Sequence, residues 1–433
     1  MNRKIKAADV LFIGLAFFAN YFGAGNLVFP PMLGLQAGSH WLSSIVALAV
    51  SGVLLPILAI AIIGMAGGVT GITGHVSKNF HTVLVGAIMV FAMFISVPRT
   101  ASVAIELGAQ GVVPQTPYAP AVVLYFILVF FFARSKENVL DRIGKILTPL
   151  MAVILFVLVI RGFVAPIGTP VETTLESPFL NAFLGGYQTG DVLVSFLMAS
   201  VFLGTITGKG YTEPKDRNRV TILAGVIAFC CLLVVYGGLL YMGACGSGDF
   251  PADIGNSELL VSVIKRGGGQ FAMSALGVAV VLACLTTAVG QVSAIADFFS
   301  TLSGGRLPYR TMAVAASLVG MLIALMGLNK IIVISTPIFL ATYPPCLVLM
   351  LLGIFRRVIP NDGGYKGAIA LTVIYSICEA VLSFVPIGPM QALVSAMPLS
   401  GAGFGWIVPS VVGFAAGVLL YPRVDAGKAA QAQ

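Results

Sequence analysis

The sequence predicts an all-α integral membrane protein with about twelve transmembrane helices. Two observations lead to this fold class. Hydrophobic residues make up 58% of the 433 residues and charged residues only 9%, a composition that no soluble protein of this size could keep in water. Apolar runs of roughly 20 residues, the length that an α-helix needs to cross a bilayer, recur along the whole chain. We therefore expect residues 1–433 to form a single transmembrane domain.

Hydropathy sets the approximate bounds of each predicted helix. In order, the predicted spans are 8–34, 41–65, 80–106, 118–133, 143–164, 189–208, 219–243, 270–302, 311–328, 330–354, 365–386 and 404–421. An even number of spans places both termini on one side of the membrane. Most of the 24 lysine and arginine residues fall on that side, which indicates the cytoplasm. We expect a multi-pass protein of the cell (inner) membrane, whose formal charge of +8 reflects anionic membrane lipid rather than nucleic acid.

The first predicted span contains a break that an uninterrupted transmembrane helix would not have. Residues 20–31 read Asn-Tyr-Phe-Gly-Ala-Gly-Asn-Leu-Val-Phe-Pro-Pro, and closely spaced glycines and two prolines oppose helix formation. Irregular backbone is tolerated at membrane depth only where it is buried in protein or lines a cavity, because unpaired backbone groups are costly in hydrocarbon. The break therefore predicts a ligand site.

Three later spans carry polar groups where apolar side chains are expected. In the third span, Arg99 and Glu106 are seven residues apart, which predicts one helix face, and they could form a gate or an ion pair near the outer end, or a structural interface. The sixth span contains a stretch of small and hydroxylated residues at 196–208. The eighth contains adjacent threonines, Thr286 and Thr287. Both features also suit close helix packing.

The positions of these features predict the topology. If the first and sixth helices are both discontinuous, they open two successive sets of five helices, 8–164 and 189–354. This is the arrangement of an inverted repeat, in which paired broken helices meet near the middle of the bilayer and bind the substrate there. The last two helices, within 365–421, are then accessory.

The same features resemble the branched-chain amino acid:cation symporters of the BrnQ type. The resemblance rests on residues 20–31, on Pro98-Arg99-Thr100-Ala101, on residues 283–290 (Ala-Cys-Leu-Thr-Thr-Ala-Val-Gly) and on the twelve-span layout with basic inner loops. It runs over nearly the whole chain. More distantly, the first and eighth spans resemble the bacterial leucine transporter and its neurotransmitter-symporter relatives, which implies a leucine-transporter-like fold with discontinuous helices 1 and 6.

The resemblance implies sodium-coupled uptake of leucine, isoleucine and valine by alternating access, with Na⁺ as the coupling ion and no organic cofactor. The implied sodium ligands are backbone carbonyls and hydroxyls of Ala19, Phe22, Ala283, Thr286 and Thr287. Asn26 aligns with a ligand of a second sodium site in some relatives, but the sequence alone offers it no clear partners.

The substrate site is predicted around the first break. Amide N–H groups that begin the second half-helix suit a carboxylate, and carbonyls that end the first half-helix suit an ammonium group and sodium. Apolar side chains of the third and sixth spans would surround the branched side chain of the substrate. The predicted substrate-binding residues are Asn20, Tyr21, Gly23, Ala24, Gly25, Asn26, Phe91, Phe94, Phe196, Met198, Ala199, Ser200 and Phe202.

Other function classes find less support. The sequence has no G-x-x-x-x-G-K-[ST] phosphate-binding loop, and its six cysteines and three histidines lack metal-ligand spacing. No paired acids or activated nucleophile indicate an enzyme, and no obligatory protein partner is implied. Two alternatives stay open. One is a proton-coupled symporter of the same fold, with Glu379 or Glu106 as proton carrier, and the other is a channel or receptor without uphill transport.

Overall fold

The computed structural model describes residues 5–134 and 139–421, and this part of the chain is all-α without strands. The fold class predicted from hydropathy is confirmed. We number the main helices in chain order. They are α1 (Ala7–Tyr21), α2 (Ala24–Ala37), α3 (Trp41–Leu48, Ala49–Leu54 and Leu55–Met65), α4 (Phe80–Val112), α5 (Tyr118–Ala133), α6 (Val139–Val164), α7 (Pro178–Tyr187), α8 (Asp191–Gly208), α9 (Pro214–Ala244), α10 (Asn256–Leu302), α11 (Tyr309–Ala324), α12 (Leu328–Ile354), α13 (Asp362–Leu382), α14 (Gly388–Ser395) and α15 (Ile407–Leu420).

Each predicted span coincides with a helix or with a pair of half-helices. The first span is α1 with α2, and the sixth predicted span, 189–208, is α8. Helix α7 lies just before that predicted span and forms the first half of the broken sixth helix. Its backbone packs tightly on α3, since a Cβ added to Gly186 would lie 2.1 Å from the Ser51 hydroxyl oxygen. Close packing of this kind, rather than hydropathy, makes this short segment part of the bundle.

Two long helices contain wide turns that change which face their side chains occupy. The π-helical segments Ala49–Leu54 and Ala92–Ser96 end just before Pro56 and Pro98. Proline donates no backbone hydrogen bond and its ring clashes with the preceding turn, so a wider turn relieves the conflict. A third π-helical segment, Ala104–Ala109, lies later in α4. Side chains that follow it point in a different direction from Arg99.

Helix α9 is the central neighbour of the first span and packs along both α1 and α2. Two glycines allow this contact: a Cβ on Gly34 would lie 1.8 Å from the Leu240 carbonyl oxygen, and one on Gly243 would lie 1.9 Å from that of Pro31. Small residues let membrane helices approach closely. The backbone of α9 is thereby held against the first span, beside the break described below.

The last two membrane helices, α13 and α15, pack mainly on each other. Gly367 and Gly413 face each other so closely that a Cβ on either would meet the other's carbonyl oxygen at 2.0 to 2.2 Å. Helix α13 also packs on α12, which connects the pair to the rest of the bundle.

Candidate functional site

The first break lies where the sequence predicts it. Tyr21 ends α1, Phe22 and Gly23 have non-helical backbone, and Ala24 begins α2. Gly23 is extended, with φ −110° and ψ −178°. The first amides of a helix have no acceptor within that helix and carry the positive end of its dipole. The start of α2 therefore suits an anionic group.

The second break lies in the sixth span, between α7 and α8, at residues 188–190. Gly190 has φ +75°, a left-handed conformation that side-chain-bearing residues rarely adopt. The stretch 196–208, where the sequence pattern suggests unwinding, is helical instead. Within this stretch, a bend of 56° separates Pro178–Ala199 from Val201–Gly208. The sixth helix is thus discontinuous as predicted, but its non-helical break lies earlier in the chain, at residues 188–190, and the predicted stretch is bent rather than unwound.

A buried hydrogen-bond network joins the two breaks. Asn26 Nδ2 lies 3.3 and 3.0 Å from the Oδ1 and Oδ2 atoms of Asp191, and it also contacts the Tyr21 carbonyl and the Tyr236 hydroxyl. Tyr236 donates to Oδ2 of Asp191 at 3.4 Å. Asn26 and Asp191 are only 1% and 2% exposed. The carboxylate is therefore held by uncharged groups in the interior. A cation that binds beside a buried carboxylate lowers the cost of burying its charge.

A second set of contacts fixes the end of α1 against α8 and α3. The hydroxyls of Tyr21 and Ser195 are 2.8 Å apart. Each can donate to the Pro56 carbonyl, at 3.1 and 2.9 Å respectively. Pro56 lies just after the π-helical segment of α3, Ala49–Leu54. One carbonyl thus anchors groups from both broken helices.

Arg99 lies between the two breaks. Its Nη1 donates to the Gln188 carbonyl at 2.7 Å and its Nη2 to Ser335 Oγ at 3.2 Å. The guanidinium carbon lies 5.1 and 5.3 Å from the ring centroids of Phe29 and Phe339. An ion pair with Glu106, one option raised by their spacing, is not formed, because the wide turn at Ala104–Ala109 changes the face that Glu106 occupies.

Glu106 instead belongs to a separate polar cavity of about 530 Å³. Its Oε1 accepts a hydrogen bond from the Leu328 amide at 2.8 Å. Gln110, Tyr118 and Glu258 also line this cavity. The other acid considered as a proton carrier, Glu379, lies on the accessory helix α13.

The predicted apolar residues divide between the neighbourhood of the breaks and other surroundings. Phe91 is buried, with its ring centroid 4.8 Å from that of Phe339, which in turn contacts Arg99. Phe202 is buried against Tyr21, with their centroids 6.0 Å apart. Phe196 and Ala199 belong to the same buried apolar cluster as Phe91.

Other predicted substrate residues lie less centrally. Phe94 is 45% exposed, and Asn20 is exposed with its amide donating to the Ala16 carbonyl at 3.0 Å. Met198 is half-buried. The side chains of Ala24 and Ser200 lie outside the described part of the structure.

The predicted sodium ligands come from α10 and from the end of α1 and the residue that follows it. Thr286 Oγ1 donates to the Ala283 carbonyl at 2.9 Å, and Thr287 is half-buried one residue further on. Ala19 is half-buried and Phe22 buried. Helix α1 packs mainly on α9, whereas α10 packs on α2, α4 and α6. The described residues contain no group of three or more His, Cys, Asp or Glu side chains placed to share a metal ion.

Sequence reasoning missed Gln188, Asp191 and Tyr236. A signal was present for the first two, because Gln188-Thr189-Gly190-Asp191 is a polar, glycine-containing stretch at the start of an apolar span. It has the same character as the first break. Nothing in the local sequence distinguishes Tyr236, which the packing of α9 brings to Asn26.

Two broken helices that meet over buried polar groups in an all-α bundle define a membrane transporter with the leucine-transporter-like fold. Solved structures have this fold. Mhp1 in an inward-facing conformation matches with a TM-score of 0.61 and 13% identity, over 95% of this chain and 90% of that one. MhsT in complex with L-phenylalanine matches with a TM-score of 0.56 and 16% identity, over 94% and 99%.

The chain belongs to the family described as branched-chain amino acid transport proteins, whose model matches residues 6–423. The branched-chain amino acid permease BraB of Bacillus subtilis (strain 168) is 30% identical over 432 residues, which are 97% of both chains. The names of such relatives, permease and carrier protein, describe transporters rather than enzymes.

Proposed function

We propose that this protein is a sodium-coupled symporter that imports leucine, isoleucine and valine by alternating access. The substrate class is supported by the family and by the relatives' names. The observation that carries the coupling is the Asp191 carboxylate, buried between two broken helices and contacted by Asn26 and Tyr236. The two breaks provide a place where solute and ion bind together.

Substrate recognition divides between backbone and apolar side chains. The amides that begin α2 bind the carboxylate, and apolar groups near the breaks, including Phe91 and Phe202, surround the branched side chain. Burial of such a side chain contributes about 1.5–3 kcal/mol. One methylene changes binding by only about 1–3 kcal/mol, so one apolar pocket accepts all three aliphatic substrates. Polar side chains are excluded because their desolvation finds no partner.

The Asn26 amide marks the candidate cation site. Four oxygen atoms surround its Nδ2: the Tyr21 carbonyl, both carboxylate oxygens of Asp191 and the Tyr236 hydroxyl. An amide NH₂ has only two hydrogens and cannot serve them all. If the amide turns over, its Oδ1 joins an oxygen-rich set with one negative charge, which suits a hard cation such as Na⁺. This set supplies the partners of Asn26 that the sequence alone does not identify.

The site implied by the family resemblance remains the other candidate for Na⁺. It uses oxygen atoms of Ala19, Phe22, Ala283, Thr286 and Thr287. One sodium ion that crosses a potential of 100 mV releases about 2.3 kcal/mol, and a tenfold gradient adds about 1.4 kcal/mol. One ion is therefore enough to concentrate the amino acid on the order of several hundredfold.

The test is uptake of labelled leucine into liposomes that contain the purified protein. Inward gradients of Na⁺, Li⁺ or choline are compared at equal pH on both sides, and we expect concentrative uptake with Na⁺ alone. Asp191→Asn removes the negative charge and is expected to abolish sodium-driven accumulation. Glu172→Gln, an exposed loop residue with the same charge change, is the matched control. Equal uptake with all three cations would overturn sodium coupling.

Proton coupling is the second candidate, because a buried carboxylate such as Asp191 can also carry a proton. An imposed pH gradient would then drive uptake in choline medium, and Asp191→Asn would abolish that response. Counterflow of labelled leucine separates either carrier from a channel or receptor. A carrier exchanges internal leucine for external leucine without any ion gradient, whereas a channel shows no counterflow.

A further inference from the structure

Arg99 is a buried cation whose hydrogen-bonding capacity is only partly used. It is 5% exposed, on the part of α4 between two wide turns. A guanidinium group has five N–H bonds. One Nη1 contact goes to the Gln188 carbonyl and one Nη2 contact to Ser335, while Nε has no hydrogen-bond partner among the described residues. A buried guanidinium with unused N–H donors indicates that an anionic ligand binds beside it.

The hydrogen-bond partners of Arg99 set its orientation and are themselves uncharged. The Gln188 carbonyl and the Ser335 hydroxyl are uncharged, and the rings of Phe29 and Phe339 contact the guanidinium. The nearby carboxylate of Asp191 takes its hydrogen bonds from Asn26 and Tyr236 rather than from Arg99. The guanidinium is therefore held in place for a further ligand.

That ligand position coincides with the start of α2. A Cβ added to Gly25 would lie 2.9 Å from Nη1 of Arg99, so the guanidinium lies directly against the first turn of the half-helix. The absence of a side chain at Gly25 permits this approach. A helix N-terminus and a guanidinium both attract anions, and a guanidinium pairs with a carboxylate through parallel hydrogen bonds.

We propose that Arg99 binds the α-carboxylate of the amino-acid substrate together with the amides at the start of α2. This inference rests on the proposed function and names the side chain that recognises the charged end of the substrate. The assignment gives Arg99 a direct binding role in addition to its contacts with Gln188 and Ser335. It also explains why a cation that is expensive to bury lies where the two broken helices meet.

The test compares leucine with leucinol, which keeps the ammonium group and the side chain but lacks the carboxylate. Dissociation constants are measured by direct binding of each labelled compound to the purified full-length protein. The wild-type protein is expected to bind leucine about 10- to 100-fold more tightly than leucinol. Charge-assisted hydrogen bonds usually change affinity by about this factor. In Arg99→Gln, leucine should lose most of this advantage and keep only the share that the α2 amides supply, while leucinol binding changes less than about threefold. Arg99→Lys should restore part of the ratio.

The control is Arg266→Gln, which removes an equal charge from a surface pair with Asp249 and should leave the ratio unchanged. The inference is overturned if Arg99→Gln keeps the wild-type ratio. It is also overturned if the variant loses leucine and leucinol alike, because Arg99 then only supports the fold. Absence of leucine uptake and leucine binding in the wild-type protein would instead defeat the proposed function, and this inference with it. That result appears before any variant is compared.

Discussion

The left-handed turn at Gly190 predicts a measurable cost for any side chain at the second break. Gly190 has φ +75°, and a Cβ there would lie 3.3 Å from Cε1 of Phe339. An L-residue in this conformation costs about 1–2 kcal/mol relative to glycine. Gly190→Ala should therefore destabilise the folded protein by about that amount, because the break cannot be made without this turn.

Gly204 provides the matched control. It lies in α8, and a Cβ added there would meet nothing within 4 Å. Gly204→Ala removes backbone freedom from a helical position and should stabilise by about 0.5–1 kcal/mol. The two alanine variants should thus differ by about 1.5–3 kcal/mol, with Gly190→Ala the less stable. The measurement is thermal unfolding of each purified variant in the same detergent, followed by leucine uptake after reconstitution.

Gly190→Ala should slow leucine uptake as well as lower stability, because Asp191 directly follows Gly190. Relief of the strained turn moves the start of α8, and with it the carboxylate that contacts Asn26. We expect Gly190→Ala to take up leucine more slowly than Gly204→Ala at equal amounts of protein. If Gly190→Ala unfolds at or above the temperature of Gly204→Ala and transports normally, the left-handed turn is not required and the reasoning fails.

Three further predictions concern the same site. Gly25→Ala should weaken leucine binding severalfold because its Cβ displaces the adjacent guanidinium, whereas Gly204→Ala, with nothing within 4 Å, should bind nearly normally; equal affinities would contradict the close contact. Tyr236→Phe removes one oxygen from the candidate cation site and should raise the sodium concentration for half-maximal uptake about fivefold, as expected for about 1 kcal/mol; an unchanged value excludes that hydroxyl as a ligand. Thr287→Ala should raise the sodium requirement without altering selectivity among leucine, isoleucine and valine, and unchanged sodium dependence would exclude the site implied by the family resemblance.

The first break and the twelve spans could be read from the sequence because both depend on local properties. Hydropathy over a window of residues decides whether a segment lies in lipid. The helix-breaking character of residues 20–31 follows from glycine and proline regardless of what surrounds them. The short helix α7 escaped prediction because its tight packing on α3, rather than its own hydropathy, places it in the bundle.

The composition of the site was decided only by tertiary structure. Asn26 and Asp191 are 165 positions apart, and no local pattern pairs them. The wide turns in α4 change the faces of its side chains, so Arg99 and Glu106 find different partners although their spacing predicts a shared face. The sequence determined that this chain crosses the membrane and breaks its first helix, because these properties belong to segments. Which groups meet at the break depends on how whole helices pack, since only packing brings distant side chains within hydrogen-bonding distance.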